Sequence, residues 1–328
     1  MPITRRNAMA ILGANALVPA WAQSDWRPSE NIIYTIGVAP GGTVDLYARG
    51  IKSGLETLKL LSGHSVLPDN KTGAAGLLAL RVLQTHTGNA HYLGTFHTGS
   101  IAGQATGVLK ADMREFVPVA MMVEETALVA VAADSPYKTI EDLVNALRRD
   151  PTALAIAVAP LRGLNTHLAI AKPLQKAGVE ISKLTVVPFR SSGESMSALL
   201  GGHVQVVSAT APVVVPQVSA GKVRILASAA SVRGTGPLAN VKTWREQGVD
   251  ADYVSYNGVL LPGGVNAEQI RFWENALRQV SQSPQWRSLV ETSGNKPIFT
   301  GYVESHRYLQ RELQETQALV AALGAGAR

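Results

Sequence analysis

Asp45, His97 or His167, and Ser100 are the residue types of a nucleophilic relay, in which a carboxylate orients an imidazole that draws a proton from a hydroxyl. The turns that usually present such groups are missing: there is no G-x-S-x-G, no H-E-x-x-H, no phosphate-binding P-loop and no G-x-G-x-x-G. The seven histidines are scattered, and a lone histidine at a helix end caps or packs more often than it moves a proton. The chain has no cysteine, which excludes disulfides, thiolate metal sites and cysteine nucleophiles. No catalytic residue, cofactor or metal ligand is assigned, and an exported serine-type hydrolase stays open as an alternative.

A different chemistry recurs along the chain. "VAPGGTVDLYARG", residues 38–50, sets two glycines ahead of a helix and places Asp45 in its first turn. The first N–H groups of a helix have no intrahelical acceptor and carry partial positive charge, so such a turn attracts an anion without any lysine. "HTGS", "PLRGLN" and "RSSGES" have similar make-up. Singly, each is an ordinary turn and cap; converging, they form an anion site. Asp45 has two readings: it caps and orients the local amides, or it meets an ammonium group on the ligand.

The elements that must position these turns follow one pattern. A short β-branched apolar run leads through a Gly/Ser/Thr turn into a segment of helical spacing: "NIIYTIGV" into a helix carrying Val44, Tyr47, Ile51, Leu55 and Leu58, "ALAIAVA" into "THLAIAKPLQKAG", "KLTVVPF" into "MSALLGG". Runs apolar on both faces, such as "HVQVVSA" and "VRILASAA", read as parallel strands covered by helices, so an α/β fold with parallel sheets is predicted. The turns then lie at the carboxyl ends of the strands, where open α/β sheets hold ligands. The pattern restarts at "KTIEDLVNALRRD", where Thr139 and Asp142 can form a capping box. Residues 23–125 and 229–328 are expected to form one lobe and 126–228 a second, with a hinged cleft between. A terminal helix carries Leu309, Leu313, Val320 and Leu323 at helical spacing.

Composition agrees with an exported globular protein. Of 328 residues 46% are hydrophobic and 16% charged, enough to build a core without disulfides. Residues 1–22 read as a signal peptide: basic "MPITRR", a run of small apolar residues, and Ala20-Trp21-Ala22 of the A-x-A form. Asn15 and Pro19 interrupt the run, which falls short of the ~20 residues a spanning helix needs. The periplasm is the expected destination, with Arg5-Arg6 leaving both ordinary secretion and a twin-arginine route open. The net charge of +6 is scattered, with no basic run beyond pairs such as Arg148-Arg149, so no nucleic-acid partner is expected.

In order along nearly the whole chain, "APGGTVDLYAR", "DNKTGAAGLLA", "FVPVAMMVEETALVAVAADSPYKTIEDLV", "THLA", "VPFRSSGESMSALLGGHVQVV" and "AGKVRILA" resemble the Bug, or tripartite tricarboxylate transporter substrate-binding, family. The resemblance implies a two-lobed, Venus-flytrap-like periplasmic receptor of the type 2 binding-protein architecture. Such a receptor closes on a small carboxylate and delivers it to membrane permease subunits; a ligand-sensing role in a signalling system is the alternative. Carried over, it implies ligand contacts from Gly41, Gly42, Thr43 and Asp45, from Thr98, Gly99 and Ser100, from Gly163 and Thr166, and from the turn after Phe189.

The chain departs from the family pattern at Phe189-Arg190-Ser191, at Leu164, at Gln205 where an acid is usual, and at Pro262–Asn266. Arg162 and Arg190, with that acid lost, favour an anion, with a second carboxylate met by arginine. Phe96, Phe189 and Tyr256 are expected to line an apolar or aromatic portion of the ligand, and a mono- or dicarboxylate, an amino acid and an aromatic acid all remain open.

Overall fold

The structure is a computed structural model that describes residues 26–41, 43–73 and 76–324. The predicted leader and Gly42 lie outside the described residues. The first strand–turn–helix unit appears where the pattern placed it, with β1 at Ile32–Ile36 and α1 at Thr43–Thr57. It is followed by β2 (Val66–Asn70), α2 (Leu77–Thr85), β3 (Tyr92–His97) and α3 (Thr98–Ala105). Tyr47, Ile51 and Leu55 of α1 are buried against Ile32, Ile36, Trp273 and Trp286, whereas Leu58, just past the helix, is exposed.

The next strand, β4, runs the whole way from Val117 to Ala132. At about 3.3 Å per residue it spans roughly 50 Å, and it takes partners at both ends. Val117–Thr126 pairs with β9 (Val254–Leu261), and Met121–Glu124 with β10 (Lys296–Thr300). Further along, Ala127–Ala130 pairs with β7 (Val206–Thr210) and Leu128–Ala132 with β8 (Val223–Ser228). Adding β5 (Ala155–Val158) and β6 (Thr185–Pro188), the strands run in the order β2-β1-β3-β9-β4-β7-β5-β6.

Strand direction corrects the expectation of parallel sheets. Only the flanks are parallel, β2-β1-β3 on one side and β7-β5-β6 on the other; β3 with β9, and β4 with β7, β8, β9 and β10, are antiparallel. The apolar pattern reports that both faces are covered, and helices cover the central strands as they cover the flanks. Burial therefore carries no information on direction.

The remaining helices are α4 (Ile140–Arg149), α5 (Asn165–Lys176), α6 (Ser192–Leu200), α7 (Ala211–Ser219), α8 (Ala267–Gln282), α9 (Pro284–Thr292) and α10 (Tyr302–Ala322). The capping box read at Thr139 and Asp142 is present: Asp142 N–H donates to Thr139 Oγ1 and the Thr139 amide to Asp142 Oδ2. On the second sheet, Val129, Ile156 and Val158 face one core and Leu128, Ala130 and Ala157 face another, the alternation that a sheet buried on both sides requires. Leu309, Leu313, Val320 and Leu323 are buried, and α10 bridges two of the cores.

Where β9 crosses β4, Gly258 lies against Met121, and a Cβ there would stand 2.0 Å from the Ala120 carbonyl oxygen. Backbone cannot swing aside as a flexible side chain does. Gly258→Ala is expected to cost more than about 3 kcal/mol, read as a lowered urea midpoint or as failure to accumulate folded protein.

Candidate functional site

Two helices approach a common space from opposite ends of β4. The cavity between them has a volume of about 550 Å³ and is lined by Thr43 and Val44 of α1, by His97, by Glu125 and Ala127 of β4, and by Asn165, Thr166 and the Arg190–Gly193 turn. A smaller pocket of about 260 Å³ shares Val44, His97 and Asn165 and reaches down to Gly99 and Ser100.

The α1 turn is largely satisfied from within. Asp45, with only 3% of its side chain exposed, accepts from the Gly41 amide (2.9 Å) and Arg49 Nε (2.8 Å) on Oδ2, and from Asn70 Nδ2 (2.9 Å) on Oδ1. Asn70 Nδ2 also donates to the Val38 carbonyl at 2.9 Å, so the loop is tied to the end of β2. Burial opposes ionisation of Asp45, but the hydrogen bonds from Arg49, Asn70 and Gly41 outweigh it and bring its pKa down to about 2. Of the readings open for Asp45, the local cap is the one formed. The Gly41 amide is thereby occupied, and its φ of +85° gives the turn its left-handed residue.

The α3 and α5 turns are closed in similar ways. The Gly99 amide donates to His97 Nδ1 at 3.1 Å. Thr98 is fully buried, its hydroxyl 3.0 Å from that of Tyr308 and accepting the Tyr256 amide at 2.8 Å, so it points into the core. The Gly163 amide donates to His167 Nδ1 at 2.8 Å, and burial, aided by the charge of Arg162, pushes the His167 pKa down to about 4. Thr166 lines the cavity, yet its hydroxyl donates to the Ala159 carbonyl (2.7 Å) and accepts the Ala159 amide (2.9 Å).

Helix α6 opens directly into the cavity. Ser191 caps it by accepting the Glu194 amide at 3.2 Å, while the amides of Ser192 and Gly193 have no acceptor among the described residues. Both residues line the cavity. Arg190 stands at the rim, 92% exposed, paired with Glu194 at 3.1 Å.

Other expected residues lie elsewhere. Arg162 is exposed and does not line this cavity. Phe96 is wholly buried beside Tyr308, Tyr256 packs edge-on to Tyr308, and Phe189 packs against the core under α6, so none of the three aromatics lines the space. Gln205, in place of the usual acid, exchanges hydrogen bonds with Ala155 through its side chain and backbone at the start of β7, whereas Thr210, at the other end of that strand, lines the cavity.

Several polar groups in the cleft escaped the reading of motifs. Asn165 Nδ2 donates to Ser255 Oγ (2.9 Å), Tyr253 Oη donates to Asn165 Oδ1 (3.1 Å), and His97 Nε2 lies 3.4 Å from Asn165 Nδ2. Glu125 Oε2 accepts from Asn257 Nδ2 at 3.3 Å and lies 3.8 Å from His97 Nε2. One signal was legible: two acids, Glu124 and Glu125, interrupt the otherwise apolar "VPVAMMVEETALVAVA", and charge inside a buried strand needs a reason.

No relay forms among the named groups. Asp45 is engaged by Gly41, Arg49 and Asn70, and His97 Nδ1 by the Gly99 amide. Among the described residues no group of three His, Asp or Glu is placed to hold a metal ion, and no helix is long and apolar enough to cross a membrane.

A two-lobed architecture with a cavity where the lobes meet defines the solute-binding class of receptor. The chain belongs to the tripartite tricarboxylate transporter family receptors, whose family profile it matches over residues 48–325. It is 26% identical over 318 residues to a UPF0065 protein of Cupriavidus necator, covering 97% of this chain and 94% of the relative. A TctC solute-binding protein from Polaromonas superposes with a TM-score of 0.78 at 21% identity, covering 90% of this chain and 99% of that one. MatC from Rhodopseudomonas palustris, solved with bound malate, gives 0.70 at 23% identity, with 89% and 99% covered. At such identities these two likenesses show the fold. The family is one of receptors, which agrees with the assignment of no catalytic residue.

The depressed Asp45 pKa makes a stability prediction. Its ionised contribution is complete above the ordinary value near 3.8 and is lost as the pH falls toward about 2. Asp45→Asn, which turns an amide donor against Arg49, Asn70 or Gly41, is expected to cost about 1–2 kcal/mol at pH 7, allowing for solvent screening at the loop. Urea unfolding at stepped pH should show the gap between the two proteins closing from pH 4 to pH 2.

Proposed function

We propose that the chain is an exported receptor that captures a small carboxylate between its lobes in the periplasm and delivers it to the membrane permease subunits of a tripartite tricarboxylate-type transporter. The sequence places the lobes at residues 23–125 with 229–328 and at residues 126–228; the burial of Leu238, Trp244 and Tyr253 in the cores of the second lobe supports moving the return crossing from residue 229 to the start of β9, near residue 254, with β4 as the other crossing. The family match supports a transporter receptor, and the malate bound by MatC supports a carboxylate as its cargo. The sequence features of residues 1–22 support export.

One observation carries the ligand reading: the Ser192 and Gly193 amides open α6 into the shared cavity with no acceptor among the described residues. An anion seated there meets aligned N–H groups and the positive end of the helix dipole in a partly desolvated space. Thr43 faces it across the cleft. The guanidinium of Arg190, held at the rim by Glu194, draws anions toward the opening more than it grips them. Closing the lobes then follows from tighter contact in the closed form than in the open one.

Gly193 is exposed, and a Cβ added to it would come no nearer than 3.7 Å to Ser191 Oγ, so the fold tolerates a side chain there. A screen of mono-, di- and tricarboxylates by thermal shift should find at least one that raises Tm. Gly193→Asp should keep the fold, since an acid suits a helix start, yet weaken that ligand at least tenfold in calorimetry. Unchanged affinity would remove α6 as the anion-binding end.

A further inference from the structure

Glu125 has no place in a site that only neutralises negative charge. Strand alternation puts Glu125 and Ala127 in the ligand cavity, while Glu124 and Thr126 line a separate cavity of about 460 Å³ behind the strand. The rear acid is answered by a cation, since Glu124 Oε2 lies 3.4 Å from Lys296 Nζ. The front acid is not. No lysine or arginine pairs with Glu125 among the described residues; its neighbours are Asn257 Nδ2 at 3.3 Å and the His97 ring at 3.8 Å.

That ring makes no hydrogen bond to it. His97 Nδ1 is engaged as the acceptor of the Gly99 amide. An Nε2 at 3.8 Å is too far from Glu125 for a hydrogen bond. Glu125 is thus a carboxylate with 12% of its side chain exposed, inside the cleft, with one donor on Oε2 and none on Oε1 among the described residues. Closing the lobes over it would shut its remaining lone pairs off from solvent. A ligand offering only carboxylate and methylene would leave those lone pairs empty and set a second negative group near the first, both of which cost affinity in a desolvated space.

Given the carboxylate reading of the α6 end, on which this step rests, we propose that Glu125 selects ligands that carry an O–H or N–H donor in addition to their carboxylate. The ligand class is therefore hydroxy or amino acids, and plain alkanoates and alkanedioates are disfavoured. Asn165 and Ser255, tied to each other at 2.9 Å beside Glu125, fix the wall against which the donor-bearing carbon rests.

The test is calorimetry on the full protein with three matched sets: propionate, lactate and alanine; succinate, malate and aspartate; glutarate, 2-hydroxyglutarate and glutamate. In at least one set the donor-bearing members should bind ten times or more tighter than the plain acid. Glu125→Gln, which keeps size and one acceptor but removes the charge, should bring that ratio below about threefold and leave the plain acid as tight or tighter. A hydroxyl preference and an ammonium preference are told apart within each set, and the ammonium preference should fall further in the variant because it loses a charge pair. Plain acids that bind as well as their donor-bearing partners, or a ratio that survives in Glu125→Gln, would overturn the selection. The wild-type ratios decide the question if the variant does not fold. No binding by any carboxylate, here or in the wider thermal-shift screen, would instead strike the receptor reading beneath it.

Discussion

One strand serves both halves of the molecule. The first ten residues of β4 are hydrogen-bonded into the sheet that holds α1 and α3, and its last six into the sheet that holds α5 and α6. Because successive side chains point to opposite faces, the same strand walls the ligand cavity with Glu125 and Ala127 and the rear cavity with Glu124 and Thr126. A relative movement of the lobes must therefore bend or twist this strand, and what opens in front narrows behind. The antiparallel partners β7, β8, β9 and β10 hold β4 along its length, and the change from β9 to β7 falls between Thr126 and Ala127.

The helix starts around the cleft share a chemistry but not a role. At α1, α3 and α5 the chain supplies its own acceptor: Asp45 for Gly41, His97 for Gly99 and His167 for Gly163. A buried N–H must find a partner, and an internal one rigidifies the turn whether or not ligand is present. At α6, Ser191 takes the Glu194 amide and leaves the two before it facing the cavity. A rigid frame whose helix starts turn unfilled amides toward the cavity can hold an anion with little reorganisation.

Much of this was readable in advance. The strand–turn–helix units, the capping box at Thr139 and the buried stripe of α10 follow from local rules of period and capping, which act within a few residues. Ser100, Thr43, Thr166, Arg190 and Ser191 line one or other of the two pockets. Strand direction was not readable, nor was the fate of Thr98, whose hydroxyl meets Tyr308, 210 residues away. Phe96 and Tyr256 looked available for a ligand only because the sequence does not show α10 folding back over them.

The amino-acid order by itself determined where helices begin, which faces are apolar and which turns have N–H groups to offer, because each depends on neighbours within about a turn of chain. Tertiary structure alone decided which helix starts share one cavity. The acceptors Asp45, His97 and His167 are near neighbours of the glycines they serve, but folding brings Asn70 to donate to Asp45 and sets Asn165 beside His97. It also decided that the two acids of β4 divide between front and rear, one answered by Lys296 and one left facing the cleft. Pairing of charges and donors is a property of distance in space, and sequence separation is silent about that distance until the sheets have formed.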